Sequence, residues 1–262
     1  MLTKKIVYIS LGLLSLAILI ATGILIFSKP VTNQDSSKLN ETKLSEIIES
    51  KSSSSSNESL AALVDDSLEL KNLGTDMSNL IVDNNVLREY KTNGIKGFYT
   101  FGEKLPGKDI LNPNFEFASL RSSAKVISPI DGVIGFIRPQ EDTKDYEVFI
   151  QTFEGSIWTI SMDHLVKLEV KKGDRVSVGD LIGYPNLQGN GTYRFEIQIN
   201  KDKDGKTSYY CPTFILESNA REILGKKITE MEKSWESVSK LDLYTIEKEK
   251  YPGCLFESFS DQ

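Results

Sequence analysis

An apolar run of 22 residues without a charge, Ile6 to Phe27, opens the chain, and Lys4 and Lys5 precede it. At 1.5 Å rise per residue such a run crosses a hydrocarbon core of roughly 30 Å. The two lysines keep the short N-terminus on the cytoplasmic side. Residues 1–29 are therefore predicted to be a cytoplasmic tip and one transmembrane helix, with everything from about Ser28 onward on the extracytoplasmic face. A cleaved signal peptide is the alternative, but the run exceeds the roughly 7 to 15 residues of an h-region and no A-x-A-like site follows it. It also lacks a cysteine, so an acylated lipoprotein N-terminus is not available.

After Pro30 the pattern turns polar, rich in Ser, Asn, Glu and Lys up to the run Ser52 to Ser56. So little apolar surface cannot offset chain entropy. Residues 30–60 are predicted to be a flexible tether with a typical end-to-end distance of roughly 30 Å. Apolar positions return at mixed spacing between Ser59 and Tyr90 and predict a short helix or two, a lead-in over residues 61–96. From Lys125 to Asn200 short β-rich runs alternate with Gly, Asp and Pro. The candidate strands are Lys125 to Ser128, Val133 to Ile137, Glu147 to Phe153, Ser156 to Met162, Leu168 to Val170 and Tyr193 to Ile199. Many short strands at close spacing predict a mainly β domain, a small antiparallel barrel or sandwich.

Beyond Pro212 the period becomes helical: Leu224, Ile228, Met231, Trp235 and Val238 step by 4, 3, 4 and 3. That places one apolar stripe on a helix of roughly twenty residues within the segment 217–262. Packing on the β domain is the default for such a stripe; an exposed stripe carrying Trp235 would instead bind a partner.

The net charge of −6 over 262 residues, without a basic stripe, argues against a nucleic-acid binder. The two cysteines, Cys211 and Cys254, both fall on the predicted outer side, where oxidation is possible. They are left as either a disulfide that ties the C-terminal tail to the domain or two free thiols. His164 is the sole histidine.

The segment from His164 to Ile199 resembles the C-terminal half of a lysostaphin-type (LytM-like) zinc endopeptidase domain. Val170, Gly173, Asp174, Val176, Gly179, Ile182 and Gly183 match the family's V-x-x-G-D-x-V-x-x-G-x-x-I-G hairpin, and Phe195 and Glu196 match the end of its H-x-H-F-E strand. Pro129, Asp131, Gly132 and Val133 fit an earlier strand turn; Phe101 and Gly102 fit the entry to the domain, and Pro212 its close. The resemblance covers residues 97–216. Similar hairpins occur in lipoyl and biotinyl carriers, membrane-fusion adaptors and sugar-phosphotransferase domains. A phosphotransferase barrel would need a second histidine, and the only Asp-Lys dipeptide, Asp202-Lys203, lies in a charged turn. An adaptor would need heptads between Lys125 and Asn200, and none occurs.

The resemblance implies zinc held by the His and Asp of an H-x-x-x-D motif and by the second His of H-x-H. Alignment puts Asn112 and Glu116 at the first two ligand positions, Arg194 at the third, and Thr192 at the first histidine of the last motif. His164 alone matches a catalytic position. A guanidinium at position 194 repels a dication, and Glu116 and Arg194 are expected to pair in its place. The resemblance therefore implies a degenerate domain with vestigial positions at Asn112, Glu116, Thr192 and Arg194, no metal, no cofactor and no enzymatic activity. Anchor, tether and degenerate domain in this order look like the stage II sporulation protein Q group. What that implies is a membrane-tethered cell-envelope protein binding an envelope protein partner or peptidoglycan, as a scaffold in a sporulation channel complex or a regulator of wall hydrolysis. The alternatives are an active peptidoglycan endopeptidase working through a carboxylate site with Glu116, or a membrane-fusion-type adaptor barrel.

Overall fold

The computed structural model describes residues 67–81, 96–105, 107 and 109–260. These belong to a compact unit that begins at Leu63. The predicted transmembrane segment, the tether and residues 61–66 and 82–95 of the lead-in lie outside the described residues.

The described residues form eleven strands: β1 (Phe98–Tyr99), β2 (Phe115–Leu120), β3 (Val126–Ile127), β4 (Gly132–Gln140), β5 (Asp145–Gln151), β6 (Trp158–Val166), β7 (Arg175–Val176), β8 (Leu181–Leu187), β9 (Tyr193–Lys203), β10 (Lys206–Tyr210) and β11 (Ser258–Ser260). Their order in the sheet is β1-β2-β9-β8-β6-β5-β4-β7; β9 also pairs with β6 and β10, β3 with β8, and β11 with β10. Every strand pairing is antiparallel. The architecture is mainly β, as the short alternating runs predict.

Strands β6 and β9 are the hub, and their register separates core from site. Ile160 faces Ile199 and Met162 faces Ile197 on one surface of the sheet, and all four are buried. Ser161 faces Gln198 and Asp163 faces Glu196 on the other. On β2 the same alternation sends Phe115 and Phe117 into the core, where the rings of Phe117 and Phe195 stack at 6.1 Å, and leaves Glu116 beside Glu196. A slip of one residue would exchange the two faces, so burial of the aromatic face fixes where the carboxylates stand.

A four-residue helix α1 (Pro212–Ile215) leads into the long helix α2 (Ser218–Ser239). The apolar stripe of α2 packs inward, with Ile228, Met231 and Trp235 buried and Trp235 only 1% exposed. The reading of that stripe as an exposed partner-binding face is thereby excluded. The Trp235 ring lies so close to Gly97 that a Cβ there would stand 2.3 Å from it. Gly97→Ala is therefore expected to displace the indole and cost about 1–3 kcal/mol, read as an earlier urea midpoint with a shifted tryptophan emission; an unchanged midpoint would refute this packing.

Cys211 and Cys254 are joined in a disulfide, which settles the choice left open above. Two expectations are corrected. Leu168 to Val170 is irregular, because Lys167 turns the chain through a positive φ of 49° just after β6. The described part of the lead-in holds one 3-10 turn, Met77–Asn79, rather than a helix. Its apolar residues, Leu70, Leu73, Met77 and Leu80, step by 3, 4 and 3 as in a helix, but Gly74 turns the chain through a positive φ of 80° between them; all four are buried in the common core, and Leu70 bridges to Leu216.

Candidate functional site

The site forms where β2, β5, β6 and β9 present their polar side chains. Between β5 and β6 the register passes from Tyr146 opposite Leu165 to Val148 opposite Met162, so Asp163 and His164 together oppose Glu147. This is a β-bulge, and His164 takes the left-handed conformation within it, with φ of 60°. The bulge breaks strict alternation, and both Asp163 and His164 reach the site. Asp163 Oδ2 lies 3.8 Å from His164 Nε2.

His164 is buried and held from both sides. Its Nδ1 is 2.8 Å from Asp145 Oδ2, at the start of β5, and its Nε2 is 3.3 Å from Glu196 Oε1. Asp145 also accepts hydrogen bonds from the Asn186 amide at 2.9 Å and from the Thr143 hydroxyl. Glu196 accepts from the Asn114 amide and pairs with Arg194 Nη2. Arg194 Nε is 2.9 Å from Glu116 Oε1, a charge pair whose N–H is not aligned as a hydrogen bond. An open groove of about 310 Å³ lies over this array, lined by Thr143, Asp145, His164, Asn186, Gln188 and Arg194.

Burial and charge set the protonation states. Burial first, then the neighbouring Glu196 charge, push Glu116 up to about 8. Burial would also raise Glu196, but the hydrogen bond from His164 and the Arg194 charge outweigh it and hold Glu196 below its ordinary range. For His164, burial opposes the charged form, yet the bond to Glu196 and the charges of Asp163 and Glu196 overcome it and raise the ring to about 9. Asp145 is likewise held low: burial is outweighed by hydrogen bonds from Thr143, His164 and Asn186. At neutral pH the array is an imidazolium and a guanidinium beside the ionised Asp145 and Glu196, with Glu116 largely holding its proton.

Of the residues singled out from the sequence, Glu116, His164 and Arg194 meet here, and the expected Glu116–Arg194 pair is present. Asn112 is buried in the turn before β2, where its Oδ1 accepts the Asn114 N–H at 3.1 Å. Thr192 ties β9 to β2 by donating to the Ala118 carbonyl at 3.0 Å. Zinc held as the resemblance implies does not fit this set: Asn112 is turned to the backbone, and a guanidinium stands between Glu116 and Glu196. Asn114, Asp145, Asp163 and Asn186 were not found from the sequence. Asp163 beside the lone histidine was the available signal; the others converge only through register.

The expectation that the chain is not an enzyme is corrected by a second group. Asp145, Asp163 and His164 each offer one ligand atom, all within 4.8 Å of one another, a set that could hold a metal ion. Two carboxylates and an imidazole suit a divalent cation, which would have to displace the His164 proton. A divalent cation is therefore within reach of this chain's own residues.

Fold and array together define a mainly β domain with a charged groove. Among solved structures the chain is similar to lysostaphin from Staphylococcus simulans, an antimicrobial peptidase (20% identity over 44% of this chain and 46% of that one, TM-score 0.35). It is also similar to LytU (25% identity, 42% and 77%, TM-score 0.35) and to the catalytic domain of the prophage-encoded M23 protein EnpA from Enterococcus faecalis (13% identity, 43% and 88%, TM-score 0.34). The chain spans less than half the length of the lysostaphin chains it matches. No protein-family model and no curated protein matches it.

Proposed function

We propose that this is a cell-envelope protein, tethered to the membrane by its N-terminal apolar run, whose peptidase-like domain takes a peptide into the groove above His164. The peptide is a peptidoglycan stem or an extended segment of an envelope protein partner, bound in a scaffold of the kind found in sporulation channel complexes or in a regulator of wall hydrolysis. The supporting observation is the groove itself: open to solvent, and lined by charged side chains from three strands, Asp145, His164 and Arg194, each held by a paired partner. Such a lining is preorganised, so ligand polar groups meet donors and acceptors already in place.

A second reading, hydrolysis of that peptide assisted by a divalent cation, is favoured by the Asp145–Asp163–His164 group. Calorimetry of wall stem peptides with the full chain in detergent, followed by mass spectrometry of the same mixtures with and without zinc or manganese, tests both. Binding without new fragments supports the first reading. Metal-dependent fragments that disappear in Asp163→Asn support the second. Absence of binding to wall peptides and to envelope extracts alike would sink the proposal.

A further inference from the structure

Three carboxylates stand side by side on adjacent strands. Glu116 on β2 is directly opposite Glu196 on β9, and Glu196 is directly opposite Asp163 on β6. Like charges in opposed positions weaken a sheet, and burial makes the repulsion harder to screen. The Glu116 and Glu196 side chains are only 12% and 4% exposed. The cation among them is covalent. Arg194, two residues before Glu196 on the same face of β9, reaches Glu116 through Nε and Glu196 through Nη2. The resemblance to the zinc endopeptidases puts a metal-holding imidazole at this position, and the residues present do not accommodate that metal.

We propose that Arg194 is a built-in cation that clamps β2 to β9 where the related domains would carry a metal ion, so that this part of the fold holds without one. A guanidinium suits the task because it is always charged and its planar fork serves two acceptors at once. His164 neutralises Glu196 from the β6 side. The Asp145–Asp163–His164 group lies on the opposite side of Glu196 from Glu116 and is a separate matter. The inference also stands apart from what the groove binds.

The test uses the full chain in detergent, in an Asp163→Asn background that silences the Asp145–Asp163–His164 group. Thermal melting, circular dichroism and bound-zinc assay are the readouts. Arg194→Met is expected to lower Tm by about 10 °C, or to abolish folding, and Arg194→Lys to recover part of the loss. Arg194→His puts an imidazole beside Glu116, Glu196 and His164; it is expected to bind zinc, with a Tm that rises on adding zinc and falls on chelation. The background chain, with Arg194 in place, is expected to show neither response. An unchanged Tm in Arg194→Met, a folded Arg194→His chain that takes no zinc, or a background chain stabilised by zinc would each overturn the inference.

Discussion

Glu232→Gln is expected to make the protein more stable at neutral and alkaline pH and to flatten the dependence of its stability on pH. Glu232 lies on α2 and is fully buried, and its carboxyl oxygens have no N–H donor among the described residues. Its neighbour is another carboxyl, Glu249, which the chain brings back over α2 and which accepts the Gly253 N–H at 2.7 Å. Burial first, and then the Glu249 charge and the bond between the two carboxyls, push Glu232 up to about 9; Lys96 pulls in the other direction and Glu236 adds to the rise. Burial raises Glu249 as well, and Tyr244 nearby is raised well above its ordinary value for the same reason.

The native state thus keeps a proton on Glu232 that the unfolded chain releases near 4.5. Between those two values the native state binds the extra proton, so stability falls as pH rises, by up to about 1.4 kcal/mol per pH unit, and levels off above the native value. The whole effect amounts to several kcal/mol. An amide at position 232 cannot ionise and can donate to Glu249, so it removes this slope. Glu116 and His164 are raised too and contribute slopes of the same sign, which makes the difference between wild type and Glu232→Gln the informative quantity. Urea midpoints taken across pH 5 to about 9 give it. A variant with the wild-type slope, or one less stable than wild type at the alkaline end, would show that the proton is not held there.

Reduction of the Cys211–Cys254 disulfide is expected to lower stability by about 4 kcal/mol, or about 10 °C in Tm, because the bond closes a loop of 43 residues. The loop contains all of α2 and the segment that returns to cover β1 and β2. Gly253 is so near Phe115 that a Cβ would stand 2.5 Å from the ring, and Phe101 exchanges backbone hydrogen bonds with Gly253 and Leu255. These contacts persist without the bond. The reduced chain should therefore stay folded at moderate temperature, while amides from Tyr244 to Ser260 exchange faster. Paired melts of the oxidised chain and the Cys211→Ser, Cys254→Ser double variant measure the loss; equal midpoints would refute it.

Local periodicity made α2 legible, because five apolar residues keep one stripe regardless of what packs on it. It also concealed Glu232, which lies inside that stripe between Met231 and Trp235 and is buried with them. Strands β4, β5, β6 and β9 were legible through alternation. Strand β2 is harder to see: Phe-Glu-Phe-Ala alternates, but the same residues carry the ligand motif that the resemblance places around Glu116. Strand β8 was hidden by Gly183 and Pro185. The array around His164 was half visible, since resemblance supplied Glu116, Arg194 and His164. Asp145, Asn114 and Asn186 come from distant segments and converge only because of strand register and the bulge at Asp163 and His164, which no local pattern encodes.

Occupation of the groove is tested most directly by photo-crosslinking in the cells that make the protein. Leu187 lines the groove and is 57% exposed; Ile223, 51% exposed on α2, serves as the control. A photoreactive residue at position 187 is expected to capture a peptidoglycan peptide or a single envelope protein, and one at position 223 to capture neither. No adduct at 187, or the same adducts at both positions, would contradict a peptide-binding groove above His164.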